Sequence, residues 1–567
     1  MELNQHSPDD VQQEDRQRQH DERQNPKAEQ HHSWQFWLVF LSLCLLSFAS
    51  ALDGSIITTA LPTVARSLGP AASSNYVWIA NSFTLTQTAI QPLTAQLCNI
   101  FGRRIPMLTA IALFAIGSGV AGGATNVGMV IAGRAVQGLG SGGIYMLVDL
   151  IVCDLVSLRD RGKYLGIVLS TAAVGAILGP VVGGGLAEAS WRWVFYVNVP
   201  IAGLVLVIMW LFLNVTYKKS GWWQIVRRID WIGNTLFIAA VTSMLLGLIF
   251  GGVVAPWSSY RVIVPLVLGI VGWIIFHVFE ASSCCYEPSV PPKLFANRTS
   301  FIGFVLAFDG AMLLQWTIYF LPIYFQGVKS TSPLTSGVNT LPYNAFLIPA
   351  AMVAGGVMSK LGIYRPLYSI GFALIALGVC LFSTLNSSSP TALWVIFQMF
   401  TAIGQGFVAT TILPAIQAAL PESEIASATG MYAFLRSFGF IWGVTVPSLV
   451  FNALFNKNAY LISDAAVRDS LTGANAYGSA SGAYRTQLPA PVRAEVESVY
   501  QLSLKMVWRV AIAFALFGFV ISFGSRQLEL RKEVAEDFRL QGGKSQRGPH
   551  DNAEKLQGAG TTAGDKS

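Results

Sequence analysis

Ala95-Gln96-Leu97-Cys98-Asn99-Ile100-Phe101-Gly102-Arg103-Arg104 closes one long apolar run, 76–96, and leads within a few residues into another, 107–124. An α-helix rises about 1.5 Å per residue, so about 20 apolar residues cross a hydrocarbon core of about 30 Å. The stretch reads as the hairpin between two membrane-spanning helices, where Gly102 permits a tight turn and the paired arginines meet water or anionic headgroups. Further windows of this kind recur outward from it at 37–59, 128–151, 164–186, 195–213, 231–250, 261–279, 301–325, 338–358, 366–385, 391–413, 428–451 and 507–523. Fourteen crossings make the chain an all-α, polytopic membrane protein.

Composition agrees. Of 567 residues, 53% are hydrophobic and 12% charged, where a soluble domain carries about 25% charged residues. The charges crowd into the first thirty-odd positions, the last forty or so, and the gaps between runs. Segments 1–33 and 531–567 have too little apolar surface to offset the entropy of ordering and are expected to be disordered tails. With the first terminus in the cytosol, the inner loops hold Arg103, Arg104, Arg159, Arg161, Lys163, Lys218, Lys219, Arg227, Arg228, Lys293, Arg298, Lys360 and Arg365. The outer loops hold little beyond Arg66, Arg192, Arg261 and Lys329. The positive-inside rule then puts both termini in the cytosol, and it accounts for the net charge of +7 without a nucleic-acid partner.

The polar segment 452–503 falls outside on this parity and reads as a long extracellular loop. Asn386-Ser387-Ser388 is an outer glycosylation sequon, so Asn386 is the expected acceptor, while Asn297-Arg298-Thr299 lies inside and stays unmodified. The six cysteines imply no disulfide framework. Cys284 and Cys285 lack a histidine or second cysteine pair at ligand spacing, so they read as an acylation site or a plain loop, and no metal is expected.

Gly102-Arg103-Arg104-Ile105-Pro106 after the second crossing is echoed by Gly362-Ile363-Tyr364-Arg365-Pro366 after the tenth. Such a weak repeat suits two six-helix halves related by an axis along the membrane normal. The expected layout is 34–216 for the first bundle, 217–285 for a linker with two extra helices, and 286–530 for the second bundle. Substrate would bind near the midplane between the halves.

The opening stretch resembles the loop signature of the major facilitator superfamily, Gly-x-Leu-(Ala)-Asp-x-(Phe/Tyr)-Gly-Arg-(Arg/Lys), with Ala95 for the first Gly and Asn99 for the Asp. The resemblance implies a cytosolic gate built on Gly102, Arg103 and Arg104, with Asp154 as an acid across the inner face. Arg134-Ala135-Val136-Gln137-Gly138-Leu139-Gly140-Ser141-Gly142 is similar to the family's fourth-helix motif, in which the arginine supports proton coupling. Arg134 sits about two turns inside its run, where a charge costs roughly 2.5–3.5 kcal/mol, so it faces a cavity or an acid unless it snorkels to the interface. Gly175, Gly179, Pro180, Gly183 and Gly184 make a smooth ridge that resembles the mark of the drug:proton antiporters, followed by Trp191-Arg192-Trp193. Leu52-Asp53-Gly54-Ser55-Ile56 resembles the first-helix motif of the fourteen-helix branch, with Ser55 for the usual Thr. As a whole the chain is similar to fungal toxin and multidrug efflux pumps.

Asp53 lies in the outer half of the first run, and Asp309 about 12 Å into the ninth, near midplane. Intramembrane acids in transporters carry protons, cap helices or hold structural hydrogen bonds. Arg436, deep in the thirteenth run, is a candidate counter-charge for one of them. Asn81, Gln87, Gln137, Gln315, Trp316, Tyr319 and Gln326 can line an amphipathic cavity or serve packing.

No phosphate-binding Gly-x-x-x-x-Gly-Lys-(Ser/Thr) loop is present: Gly543-Lys544-Ser545 has Phe538 where the first Gly belongs. A proton crossing about 100 mV and one pH unit releases about 3.7 kcal/mol, enough for about a 500-fold gradient of a neutral solute. The expectation is a monomeric, cofactor-free, proton-coupled exporter of amphipathic organic compounds in the plasma membrane, or the vacuolar membrane. Importers of iron chelates and transporter-like nutrient receptors are the rival readings. An enzyme is not expected, since no nucleophile elbow or metal-ligand set stands at catalytic spacing.

Overall fold

The computed structural model describes residues 33–68, 76–213, 228–251, 255–282, 285, 287–472 and 488–530. The two tails, apart from Ser33, lie outside the described residues, as do Lys218, Lys219, Arg227 and Cys284. The first six crossings are α1 (Trp34–Ser67), the pair α2 (Tyr76–Ala89) and α3 (Gln91–Phe101), α4 (Arg104–Gly122), α5 (Val127–Leu155), α6 (Arg161–Ala189), and the short α7 (Trp193–Tyr196) with α8 (Asn198–Phe212). Two extra helices follow, α9 (Trp231–Phe250) and α10 (Tyr260–Glu280). The short α11 (Lys293–Ala296) leads into α12 (Arg298–Gly327), α13 (Pro333–Leu361), α14 (Arg365–Phe382), α15 (Thr391–Ala418), α16 (Ile425–Asn458), α17 (Ala465–Leu471) and α18 (Ala490–Ser522). Among the described residues, 13 helices are long and apolar enough to cross a membrane. The broken α2–α3 pair supplies the fourteenth.

Local chemistry sets the boundaries. Ser33, Asn126, Asp230, Ser259, Asn297 and Ser332 each accept a backbone N–H in the first turn of α1, α5, α9, α10, α12 and α13, satisfying donors that a helix start leaves free. Asn297, half of the inner sequon, is thus a helix cap. The second crossing, expected as one helix over 76–96, breaks at Ile90 because Pro92 enters the first turn of α3 and can donate no backbone hydrogen bond.

The two echoed turns each place a glycine at positive φ but differ in ψ, which is 15° at Gly362. Gly102 ends α3 at φ 75° and Gly362 ends α13 at φ 71°, the two positive-φ glycines among the described residues. Gly102 also has ψ −174°, a region open almost only to glycine.

Segment 452–503 differs from the loop expected. α16 runs on to Asn458, α17 occupies 465–471, and α18 begins at Ala490, well before the apolar window at 507. Val496, Val499, Tyr500 and Leu504 form a buried stripe at three- and four-residue spacing, and Tyr500 packs its ring on Phe451 and Phe455 of α16. The charges on the other faces made the stretch read as polar loop.

The two halves meet at the end of the bundle where the basic loops gather. There α6 and α13 cross backbone against backbone: a Cβ on Gly355 would lie 2.7 Å from the Lys163 amide nitrogen, and one on Gly166 3.1 Å from the Ala351 carbonyl oxygen. Phe237 of α9 and Trp273 of α10 pack against Phe434 of α16, which ties the extra helices to the second half.

Candidate functional site

Asp53 and Arg134 form a buried ion pair. Arg134 Nη1 donates to Asp53 Oδ2 at 2.6 Å, and the Arg134 and Asp53 side chains are 1% and 0% exposed. Gln137 Nε2 and Asn198 Nδ2 both donate to Asp53 Oδ1, at 2.8 and 2.7 Å, and Ser118 Oγ accepts from Gln137. The guanidinium lies 4.2 Å over the Phe83 ring. Helices α1, α2, α4, α5 and α8 thus converge on one carboxylate whose two oxygens are both occupied. The glycine ridge holds α6 against this point: Gly175 abuts the Phe48 carbonyl, and a Cβ on Gly179 would meet the Ser55 side chain and lie 3.0 Å from the Ile56 nitrogen. Gly183 is buried on the same helix; the surroundings of Pro180 and Gly184 lie outside the described residues.

At the basic end Arg103 Nε donates to Asp154 Oδ2 at 2.8 Å, both side chains buried, and Arg103 Nη1 holds the Cys98 carbonyl at 2.9 Å. Arg104 donates to the Trp210 carbonyl. This cluster braces the first half, and neighbouring groups reach the second. Asn99 Nδ2 donates to Ser427 Oγ at 3.3 Å, in the first turn of α16. Arg159 donates to the Ser359 and Lys360 carbonyls at the end of α13, where carbonyls have no helical partner, and Ser359 also bonds Asp160. Arg161 Nη1 donates to Gln417 Oε1 at 2.8 Å. Arg159 and Arg161, expected only as loop charges, join the halves.

Beyond this seal lies a cavity of about 120 Å³ between the halves. Its walls include Ser47, Ser50 and Ala51 of α1, Gln87 of α2, Tyr145, Val148 and Asp149 of α5, Leu165, Val168, Leu169 and Ala172 of α6, Ala409 and Leu413 of α15, and Tyr432 and Arg436 of α16. Arg436 Nη2 donates to Asp149 Oδ2 at 2.9 Å across the gap. Its guanidinium stands 4.2 Å from the Tyr145 ring centre and 5.1 Å from that of Tyr432.

The family model of the Major Facilitator Superfamily matches residues 43–444. The chain belongs to the major facilitator superfamily. It is 53% identical to the "MFS efflux transporter aclA" of Aspergillus oryzae over 509 residues, 89% of this chain and 92% of that one. It is 44% identical to the "MFS-type efflux pump LUC4" of a Fusarium species, over 89% of this chain and 90% of the relative. The solved proton:xylose symporter XylE superposes with a TM-score of 0.55 at 14% identity, over 87% of this chain and 98% of that chain, a likeness of fold.

Within this major facilitator chain several expected residues sit elsewhere than anticipated. Arg436, expected opposite Asp53 or Asp309, pairs with Asp149. Gln137 is wholly buried in the Asp53 cluster, and Trp316 is buried against Phe514, so neither lines the cavity. Asn81, Gln315 and Tyr319 are not among its walls, whereas Gln87 is, donating to Ser141 Oγ at 3.1 Å. Asp309 is 2% exposed and, among the described residues, accepts no hydrogen bond at either oxygen; Phe372 and Gly518 stand beside it. Asp149 escaped notice because the apolar window ended two residues later, which made it look interfacial. The helix runs on to Leu155, which puts Asp149 deeper.

The Asn386 carboxamide oxygen accepts from Ser388 and Ser389, shaping a tight turn at the sequon. Asp230, Glu280 and Cys285 bring ligand atoms within 4.8 Å of one another beside the start of α9 and the end of α10, the donor set most like a metal site among the described residues. Glu280 also accepts the Ser289 and Val290 N–H groups, and Asp230 caps α9, so the carboxylates hold the following loop. Burial, with the Asp230 and Glu280 carboxylates, pushes the Cys285 thiol up to about 12. It is protonated at neutral pH and a poor nucleophile.

Proposed function

We propose that the chain exports small amphipathic organic compounds in exchange for protons by alternating access. The observation that carries this reading is the 53% identity, over 89% of this chain and 92% of the other, to a relative named as an efflux transporter. With the basic end in the cytosol, as the positive-inside rule places it, the Arg159, Arg161 and Asn99 contacts are a closed cytosolic gate. The cavity beyond is smaller than the roughly 300 Å³ that encloses a drug-sized ligand, so the halves part to admit one.

Two acids divide the work. Asp53 is held by Arg134, Gln137 and Asn198 and acts as a fixed anion that fastens α1 to α5. Asp309 has neither donor nor cation on its carboxyl among the described residues, a setting that suits the neutral, proton-carrying form. The ridge of Gly175 and Gly179 lets α1 and α6 move as one body.

The test is dye and metabolite retention in yeast lacking its own pumps. Expression should lower the cell content of at least one compound, and collapsing the proton gradient with an uncoupler should restore it. Higher content on expression would mean import and would reverse the reading.

A further inference from the structure

The cavity between the halves contains one negative and one positive side chain, Asp149 and Arg436, and they are 2.9 Å apart. Every other wall residue among the described residues is uncharged at neutral pH, with hydroxyl and amide groups such as Ser47 and Gln87 and the leucines and valines of α5 and α6. Among the described residues, the groups that face Asp149 are Arg436 and Tyr432 from α16 and Tyr145 and Cys153 from its own helix, while α1, α2, α6 and α15 add no titratable group to the cavity. The described walls therefore sum to zero charge. When the halves part to admit a solute, Asp149 and Arg436 separate within one cavity, and an ion that paired with either would strand the other in low dielectric.

We infer that this cavity selects net-neutral, flat amphipaths, with Asp149 and Arg436 as the residues that set that selectivity; the inference rests on the export reading for its direction only. The two rings that flank the guanidinium, Tyr145 and Tyr432, offer aromatic faces to a planar ligand. The pair keeps a donor edge and an acceptor edge for carbonyl and hydroxyl groups while contributing no net charge. Because the solute is neutral, the exchanged proton alone carries charge across the membrane.

The experiment uses the full chain in lipid nanodiscs and three fluorescent probes on one diethylaminocoumarin ring, bearing a methyl ester, a carboxylate or a trimethylammonium group. Binding is read by polarisation, with empty nanodiscs subtracted. The ester should bind at least about tenfold tighter than either charged probe. Arg436→Gln should tip the preference toward the cationic probe, and Asp149→Asn toward the carboxylate. The double variant, neutral again, should restore the ester, which guards against a single variant that does not fold. A charged probe binding tightest to the wild type, an unchanged order in both single variants, or no saturable ester binding overturns the inference. Gradient-driven export of a charged dye with the ester ignored would sink it and leave the export reading standing. Ester selectivity with inward flux would do the reverse.

Discussion

Asp53 and Asp309 are both buried acids in crossings, and their surroundings separate them. Asp53 has three donors on two oxygens; Asp309 has none among the described residues. Asp53→Asn therefore leaves Arg134 as an uncompensated buried charge, a loss of about 3–5 kcal/mol, and should show as a large fall in thermal stability of the purified protein. Asp309→Asn puts an amide of the same shape where the carboxyl has no hydrogen-bond partner among the described residues, should change stability by about 1 kcal/mol or less, and should abolish gradient-driven export. Normal pumping by the Asp309→Asn variant would remove Asp309 from the mechanism. Both acids and Arg134 were visible in the sequence, because an isolated charge in a long apolar run needs a reason to be there. Their partners were not. Gln137 and Asn198 are ordinary amides until folding points them at one carboxylate, and Arg436 finds Asp149 only when α5 and α16 face each other across the halves.

The elements were legible wherever apolar length alone decides, and misread where a stripe or a proline does. The window at 76–96 contains Pro92, whose missing N–H splits the crossing into α2 and α3. The buried stripe of α18 was hidden among charges because only one face of that helix packs. The crossing of α6 on α13 gives the element-scale prediction. Gly355→Leu has no room, since the added Cβ would press on the Lys163 backbone, which cannot give way as a side chain can. The substitution should hold the basic end open. Combined with Ser359→Cys, it should let an impermeant maleimide react from the cytosolic face about tenfold faster than with Ser359→Cys alone, and export should fall. Equal labelling with and without Gly355→Leu would mean that this crossing does not form the seal.

At the scale of the whole molecule, each half has a positive-φ glycine before a new crossing, Gly102 in one and Gly362 in the other, with different ψ. The seal is not equally shared: the first half supplies Arg159 and Arg161, and the second supplies helix-end carbonyls and Gln417. Asn99, where the family signature has an acid, meets the first turn of α16 through a neutral hydrogen bond to Ser427. A carboxylate there would gain from the helix dipole, so Asn99→Asp should tighten the gate by about 0.3–1 kcal/mol and slow turnover of any exported dye. A faster pump would mean that Asn99 does not act through the closed state. Exchange of solute for proton is read directly as proton flux in proteoliposomes with a pH-sensitive dye inside. Adding a transported compound on one side should drive protons the opposite way through the wild type, with no such flux in the Asp309→Asn variant. Protons moving in the same direction as the compound, or not at all, would contradict the account.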